Sequence, residues 1–90
     1  MYGYNVTMAT KKTSYHFNIV FRPEPEGGFT AVVPALPGCV THGRTLGEAK
    51  AMARDAVRAY VASLKKHGER IPTDVDTLVA SLNVEYAKTA

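Results

Sequence analysis

Cys39 and the three histidines are the residues of this sequence whose types could serve nucleophilic or metal chemistry. Cys39 and His42 lie three positions apart on a predicted strand, where positions i and i+3 point to opposite faces, so the imidazole is badly placed to take the thiol proton. His16, His42 and His67 show no metal-ligand spacing, such as two histidines one helical turn apart. A single cysteine forms neither an internal disulfide nor a cysteine-based zinc site. We therefore predict no catalytic residue, no metal and no cofactor, and interpret Cys39 as a buried structural residue.

The glycine pair and the acidic residues also lack a catalytic pattern. Gly27 and Gly28 belong to no phosphate-binding motif, and no helix follows them directly to hold an anion at its N-terminus. A hairpin turn is the prediction for this pair. No two carboxylates are paired on one predicted element, as general acid and base catalysts often are. An enzyme is therefore the least favoured class of function.

A line of basic residues on the predicted helix is the feature that most suggests binding. Lys50, Arg54 and Arg58 are four residues apart and stack along one side of the helix, which we call the basic helix face. Like charges at this spacing cost some helix stability, so an anionic partner would account for them. A solvated surface is the alternative. The formal net charge of +3 is too small to decide between them.

Three strands are predicted ahead of the helix. The first is indicated by alternating aromatic and β-branched residues that share one face: Tyr15, Phe17, Ile19 and Phe21. Pro23 and Pro25 end it, because proline cannot donate to a ladder. The second strand covers residues 29–33 and is joined to the first by the glycine turn. The third covers residues 39–43, after a loop with turn chemistry at residues 35–38.

The helix is predicted from its caps and its apolar stripe. Thr45 and Glu48 have the spacing of a capping box, and Gly68 and Pro72 mark the end. The stripe recurs at spacings of three and four: Ala49, Met52, Ala53, Ala56, Val57, Tyr60, Val61 and Leu64. A fourth strand, residues 78–86, follows with its own alternation. The prediction is an α+β fold, a β-β-β-α-β two-layer sandwich with a mostly antiparallel sheet.

The 90 residues indicate one small domain, residues 13–87, after an N-terminal tail at residues 1–12. Small domains often gain stability by association, and Val20, Val33 and Val79 are expected on faces that one helix cannot cover. We therefore predict a homodimer or tetramer. The sequence has neither a membrane-length apolar run nor a secretory signal, so we expect a cytoplasmic protein without a membrane partner.

The run from Gly27 to Pro72 resembles the HicB family of type II antitoxins. The marks are a P-x-L-P-G-C strand end, a T-x-x-E-A helix start and an alanine-rich helix running to G-x-x-I-P, carried by Pro34, Leu36, Pro37, Gly38, Cys39, Thr45, Glu48, Ala49, Gly68, Ile71 and Pro72. With the preceding strand, the resemblance covers roughly residues 14–86. It implies a β-β-β-α-β fold, comparable with a double-stranded-RNA-binding domain or a partial RNase H fold. The implied function is to bind and inactivate a HicA-like toxin, a small mRNA endoribonuclease that carries its own catalytic histidine.

Two features depart from the family pattern. Many members carry a C-terminal DNA-binding module, and too few residues follow the last predicted strand for one, so we expect any DNA binding to be weak and non-specific. A protein that masks a basic nuclease is expected to be acidic, at least locally, whereas this chain is net basic. We predict a local acidic surface, with four candidate toxin-facing residues: Glu24, Glu26, Asp74 and Asp76. The alternative is a solitary family member that binds RNA through the basic helix face.

Overall fold

In the computed structural model, which describes residues 13–88, three strands are followed by one long helix. The elements are β1 (Val20–Pro23), β2 (Phe29–Val32), β3 (Val40–Gly43) and α1 (Leu46–Lys66). They confirm the α+β class and the predicted β-β-β-α order. The predicted tail at residues 1–12 lies outside the described residues, and the single-domain extent of residues 13–87 stays a prediction.

The sheet is antiparallel throughout, in the order β1-β2-β3. Its register places Phe21, Ala31 and Thr41 in one cross-strand row, and Ala31 is fully buried. The next row joins Val20, Val32 and Val40, of which the two outer valines are exposed on the opposite face. The sheet therefore has one face toward the core and one face toward solvent.

The first strand is shorter than the sequence predicts. Its pairing with β2 begins at Val20, which faces Val32, the last residue of β2. The residues before Val20 have no length of β2 left to pair with, because the chain turns away at Pro34. The side chains of Phe17 and Ile19 nevertheless pack against the core, as their alternation with polar neighbours predicts.

The glycine turn is confirmed as a hairpin connection. Gly27 and Gly28 have φ values of 107° and 83°, which favour glycine. The N–H of Glu24 donates to the Gly28 carbonyl at 3.0 Å. A Cβ at Gly28 would lie 2.7 Å from the Gly43 carbonyl oxygen, so this position also requires glycine for space.

The loop between β2 and β3 is held by its own backbone. Val33 donates to the Cys39 carbonyl, Leu36 to Val33, and Cys39 to Leu36, each at 3.0 Å. Leu36 is buried inside this loop, and the Tyr60 hydroxyl of α1 donates to the Pro37 carbonyl at 2.9 Å. The P-x-L-P-G-C stretch therefore forms a compact turn fastened to the helix.

The helix begins and ends as predicted. The Glu48 N–H donates to Thr45 Oγ1 at 3.0 Å, and Glu48 Oε1 accepts the Arg44 N–H at 2.7 Å, one residue earlier than in the standard capping box. At the other end Gly68 has φ 67° and donates to the Lys65 carbonyl, while the next N–H reaches the Leu64 carbonyl. This pair of bonds is a Schellman motif.

The core lies between α1 and the two strands β2 and β3. Small residues make the close approach possible, since Ala31, Ala49 and Ala53 are fully buried. Two predictions about burial were wrong. Met52 is 47% exposed and lies outside the buried stripe, and Val33 is buried in the core rather than on an uncovered face. The reason for the second is that Val33 points inward from the compact loop and belongs to the core cluster.

The predicted fourth strand is not formed within the described chain. Residues 77–88, which we call the arm, lie in no strand or helix. Its apolar side chains are exposed on both alternating faces: Leu78 94%, Val79 73%, Leu82 84%, Val84 74% and Tyr86 92%. A strand exists only where a neighbour pairs with it, and the arm has none in residues 13–88, so its alternation alone does not make it a strand.

Candidate protein-interaction surface

Asp74, a candidate toxin-facing residue, is engaged within the chain. Its side chain is only 8% exposed, and Oδ2 accepts the backbone N–H of Asn18 at 2.9 Å. Its own N–H donates to the His16 carbonyl at 2.8 Å. Asp74 thus ties the segment after α1 to the segment before β1, and little of its carboxylate is left for a partner.

The other three candidate carboxylates are more accessible. Glu26 and Asp76 are exposed, whereas Glu24 is half-buried and its Oε2 accepts the Thr30 hydroxyl at 2.7 Å. Glu24 follows the last residue of β1, while Asp74 contacts the chain near Asn18, six residues earlier. Six extended residues span up to about 20 Å. Asp74 and Glu24 therefore contact opposite ends of the run that contains β1.

The basic helix face is formed as the spacing predicts. Lys50, Arg54 and Arg58 are all exposed and lie within the unbroken helix α1. Lys65, two turns beyond Arg58, places its Nζ 5.3 Å from the centre of the Tyr15 ring, a cation–π distance. The basic helix face therefore faces solvent, and its role in binding stays a prediction.

Two shallow grooves run between α1 and the β1 side of the sheet, a feature that the sequence did not predict. They form because α1 packs over β3 and β2 and leaves β1 incompletely covered. Phe17 lines both grooves, Leu46 and Lys50 border one, and Val61 and Arg58 border the other. No local sequence pattern signals this, since it depends on where the helix sits across the sheet.

Cys39 belongs to the buried core, with 6% of its surface exposed. Burial raises the pKa of the Cys39 thiol above its ordinary value, so the thiolate is disfavoured at neutral pH. A nucleophilic cysteine needs the opposite, a lowered pKa and access. The environment of this thiol is that of a structural residue.

The histidines are spread over the fold. His16 lies before β1, His42 is exposed on β3, and the His67 ring makes a hydrogen bond with the Ser63 carbonyl at the end of α1. Among residues 13–88, no three histidine, cysteine, aspartate or glutamate side chains are grouped as metal ligands would be. In the same part of the chain, no helix combines the length and the apolar character needed to cross a membrane.

Comparisons with known proteins agree with this architecture. A UPF0150 protein of Thermoplasma acidophilum is 45% identical over 58 residues, covering 64% of this chain and 84% of the relative. A UPF0150 protein of Synechocystis is 31% identical over 75 residues, covering 83% of this chain and 94% of the relative. The family model for the HicB-like antitoxin of bacterial toxin–antitoxin systems matches residues 17–90, which include all three strands, α1 and the arm. The chain therefore belongs to the HicB-like antitoxin family.

Proposed function

We propose that this chain binds a HicA-like mRNA endoribonuclease and neutralises it by covering its active site. The observation that carries the proposal is the family match over residues 17–90, which spans every element of the fold. Antitoxin membership supports a regulatory role rather than a catalytic one. The chemistry of the chain agrees, because the buried Cys39 thiol has a raised pKa and the histidines are dispersed.

The proposed toxin-facing surface runs along β1 and has accessible carboxylates near both of its ends. Glu26 in the hairpin and Asp76 after α1 are exposed, with Glu24 partly available beside the hairpin. A nuclease that binds RNA presents basic groups to phosphates, and acidic side chains can occupy the same groups. Asp74 supports this surface from within by holding the chain segment that precedes Asp76.

The proposal is tested with a HicA-like endoribonuclease, taken from a gene next to that of this chain where the genome has one. The two are co-expressed and purified, and cleavage of an mRNA is followed at rising ratios of the chain. The expected result is a stable complex and loss of cleavage at equimolar ratio. Undiminished cleavage with excess chain would refute the proposal.

A pair of charge-reversal variants locates the surface. The double variant Glu26→Lys/Asp76→Lys should weaken inhibition at least about tenfold, because it places like charges against a basic toxin. The control is Glu69→Lys, an equally exposed carboxylate at the end of α1. Equal inhibition by the double variant and the control would remove these carboxylates from the interface.

A nucleic-acid-binding function is the second candidate. The observation in its favour is the exposure of Lys50, Arg54 and Arg58 along one line of α1. Such a line contacts phosphates without reading bases. For both functions we propose that the chain acts in the cytoplasm as a homodimer or tetramer.

A further inference from the structure

The arm carries apolar surface with no partner inside its own chain. Four large apolar residues of the arm occupy even-numbered positions, and each is at least 74% exposed: Leu78, Leu82, Val84 and Tyr86. The intervening positions include Ser81, Asn83 and Glu85. Such a segment has one apolar and one mostly polar side when it is extended, which is the pattern of a strand at the margin of a sheet.

The outer edge of β1 is one of two free edges that the sheet has within the described residues, the other being that of β3. Within the described residues β1 pairs only with β2. In an antiparallel pair, alternate residues direct their N–H and C=O groups away from the neighbour. The Glu24 N–H donates to the Gly28 carbonyl, so by the same register Val20 and Arg22 direct their backbone groups to β2, and Ile19 and Phe21 direct theirs to the open edge. An unpaired edge of this kind is a template for another strand.

Asp74 holds the chain ahead of the arm on the β2 side of the segment before Val20, away from this open edge. The Asp74 N–H donates to the His16 carbonyl, which is the first bond of a parallel ladder. The next bond would join the Asn18 N–H to the Asp74 carbonyl. Instead the Asp74 carboxylate takes that N–H at 2.9 Å, and the Asp74 carbonyl accepts from Thr77 at 2.9 Å. The side chain replaces the ladder bond, and the resulting turn directs the arm away.

The surface beside the free edge of β1 suits the arm in shape and charge. The core-facing side chains of Phe17, Ile19 and Phe21 are only partly covered, and they line a groove that Leu46 borders. A strand added to the edge of β1 would place its apolar side next to this groove. Lys50 borders the groove, and the arm carries Glu85 as its acidic group. The edge and the arm are therefore complementary parts of one chain that do not meet in that chain.

We propose that two copies of this chain exchange arms, so that the arm of each copy forms a fourth strand on the free edge of β1 in the other. The apolar side chains of the arm then cover the groove beside α1. A second copy is the occupant because it supplies the apolar alternation and the matching charge, while the Asp74 turn separates the arm from its own edge. This inference concerns the chain alone and stands independently of toxin binding.

The first experiment measures the oligomeric state of the unmodified chain and two variants by sedimentation equilibrium. The unmodified chain should be a dimer or a multiple of dimers. Leu82→Lys should weaken association at least about tenfold, because it places a charge on the buried side of the exchanged strand. Asn83→Lys is the matched control, since it adds the same charge at the neighbouring position of the opposite side and should leave association unchanged. Leu82 is exposed in the single chain, so circular dichroism should show both variants folded.

The second experiment distinguishes exchange from an arm that closes on its own chain. Differently isotope-labelled copies are mixed, refolded together and examined for nuclear Overhauser effects between chains. Contacts between the methyl groups of Leu82 or Val84 and the rings of Phe17 or Phe21 should appear between labelled and unlabelled copies. The proposal is overturned by a monomeric chain, by contacts found only within one copy, or by equal association of Leu82→Lys and Asn83→Lys. Toxin inhibition is not measured here, so a failure would leave the proposed function standing.

Discussion

Gly43 at the end of β3 lies directly against Ala49 in the first turn of α1. A Cβ placed on Gly43 would be 2.3 Å from the Ala49 backbone nitrogen and 2.6 Å from its Cα. Both residues are buried. This contact sets how closely the helix approaches the sheet and fixes its position over β3.

Gly43→Ala should destabilise the fold by about 1–3 kcal/mol, because the added methyl group forces backbone atoms apart in a packed core. Urea unfolding followed by circular dichroism measures the change in the free energy of unfolding. The matched control is Gly47→Ala, where a Cβ meets nothing within 4 Å. Alanine favours the helix there and should stabilise it by about 0.5–1 kcal/mol. Equal effects of the two substitutions would contradict the close packing at Gly43.

Asp74→Ala should lower the free energy of unfolding by about 1–3 kcal/mol, because it leaves the Asn18 N–H without its acceptor in a partly buried place. Asp76→Ala removes an exposed carboxylate two residues away and should change stability by less than about 0.5 kcal/mol. Chemical denaturation of both variants is the measurement. Similar stabilities for the two would show that the Asp74 bonds do not hold this segment.

The Cys39 thiol should make stability depend on pH. Its pKa is raised in the folded chain, so the folded state keeps its proton while the unfolded thiol, with a pKa of about 8.5, loses it. The stability that Cys39 contributes relative to Cys39→Ala is therefore complete below about pH 8 and falls as the pH rises through the unfolded value. Unfolding free energies of both proteins at about pH 7 and about pH 9.5 give the comparison. A difference that stays constant across this interval would contradict the prediction.

Burial of Cys39 also predicts that its thiol reacts slowly with modifying reagents and that a polar replacement lowers the stability of the fold. A bulky maleimide should label the native thiol far more slowly than the denatured one. Cys39→Ser should cost about 1–3 kcal/mol, since it buries a hydroxyl in place of a thiol. Equally rapid labelling of native and denatured protein would show that the thiol is accessible.

Glutamine at all three positions of the basic helix face, Lys50, Arg54 and Arg58, should abolish any affinity for nucleic acid and leave the fold intact. The three side chains are exposed and contact phosphates at most, so the affinity of the unmodified chain should be weak and indifferent to sequence. It should disappear between about 50 and 200 mM salt. Fluorescence anisotropy with labelled RNA and DNA is the measurement. A preference for one DNA sequence that persists at 200 mM salt would refute this prediction.

Local patterns predicted the parts of the fold that local chemistry decides. The Thr45–Glu48 cap, the glycine hairpin and the Schellman motif at Gly68 each depend on bonds between residues a few positions apart. The α+β class was predictable because strand and helix periodicities differ clearly along the chain.

Long-range placement was not predictable in the same way. The alternation at residues 78–86 indicates a segment that can form a strand. It does not specify which sheet edge the segment pairs with, or whether that edge belongs to the same chain or to another copy. Asp74 has the appearance of a surface carboxylate in the sequence, and only its contact with Asn18, 56 residues earlier, reveals its structural role. The position of α1 over β3 likewise depends on the close contact between Gly43 and Ala49. No local sequence pattern indicates that these two residues pack against each other.

The proposed exchange of arms would make the lifetime of this protein depend on its concentration. Mass action gives the associated form a higher melting temperature at higher concentration, because each β1 gains its second neighbour, the exchanged arm, only from another molecule. A scarce chain keeps its arm unpaired and open to cleavage by proteases, which attack exposed irregular segments. A lower protein concentration therefore speeds proteolysis, and proteolysis lowers the concentration further. A protein built in this way would disappear rapidly once its synthesis stopped.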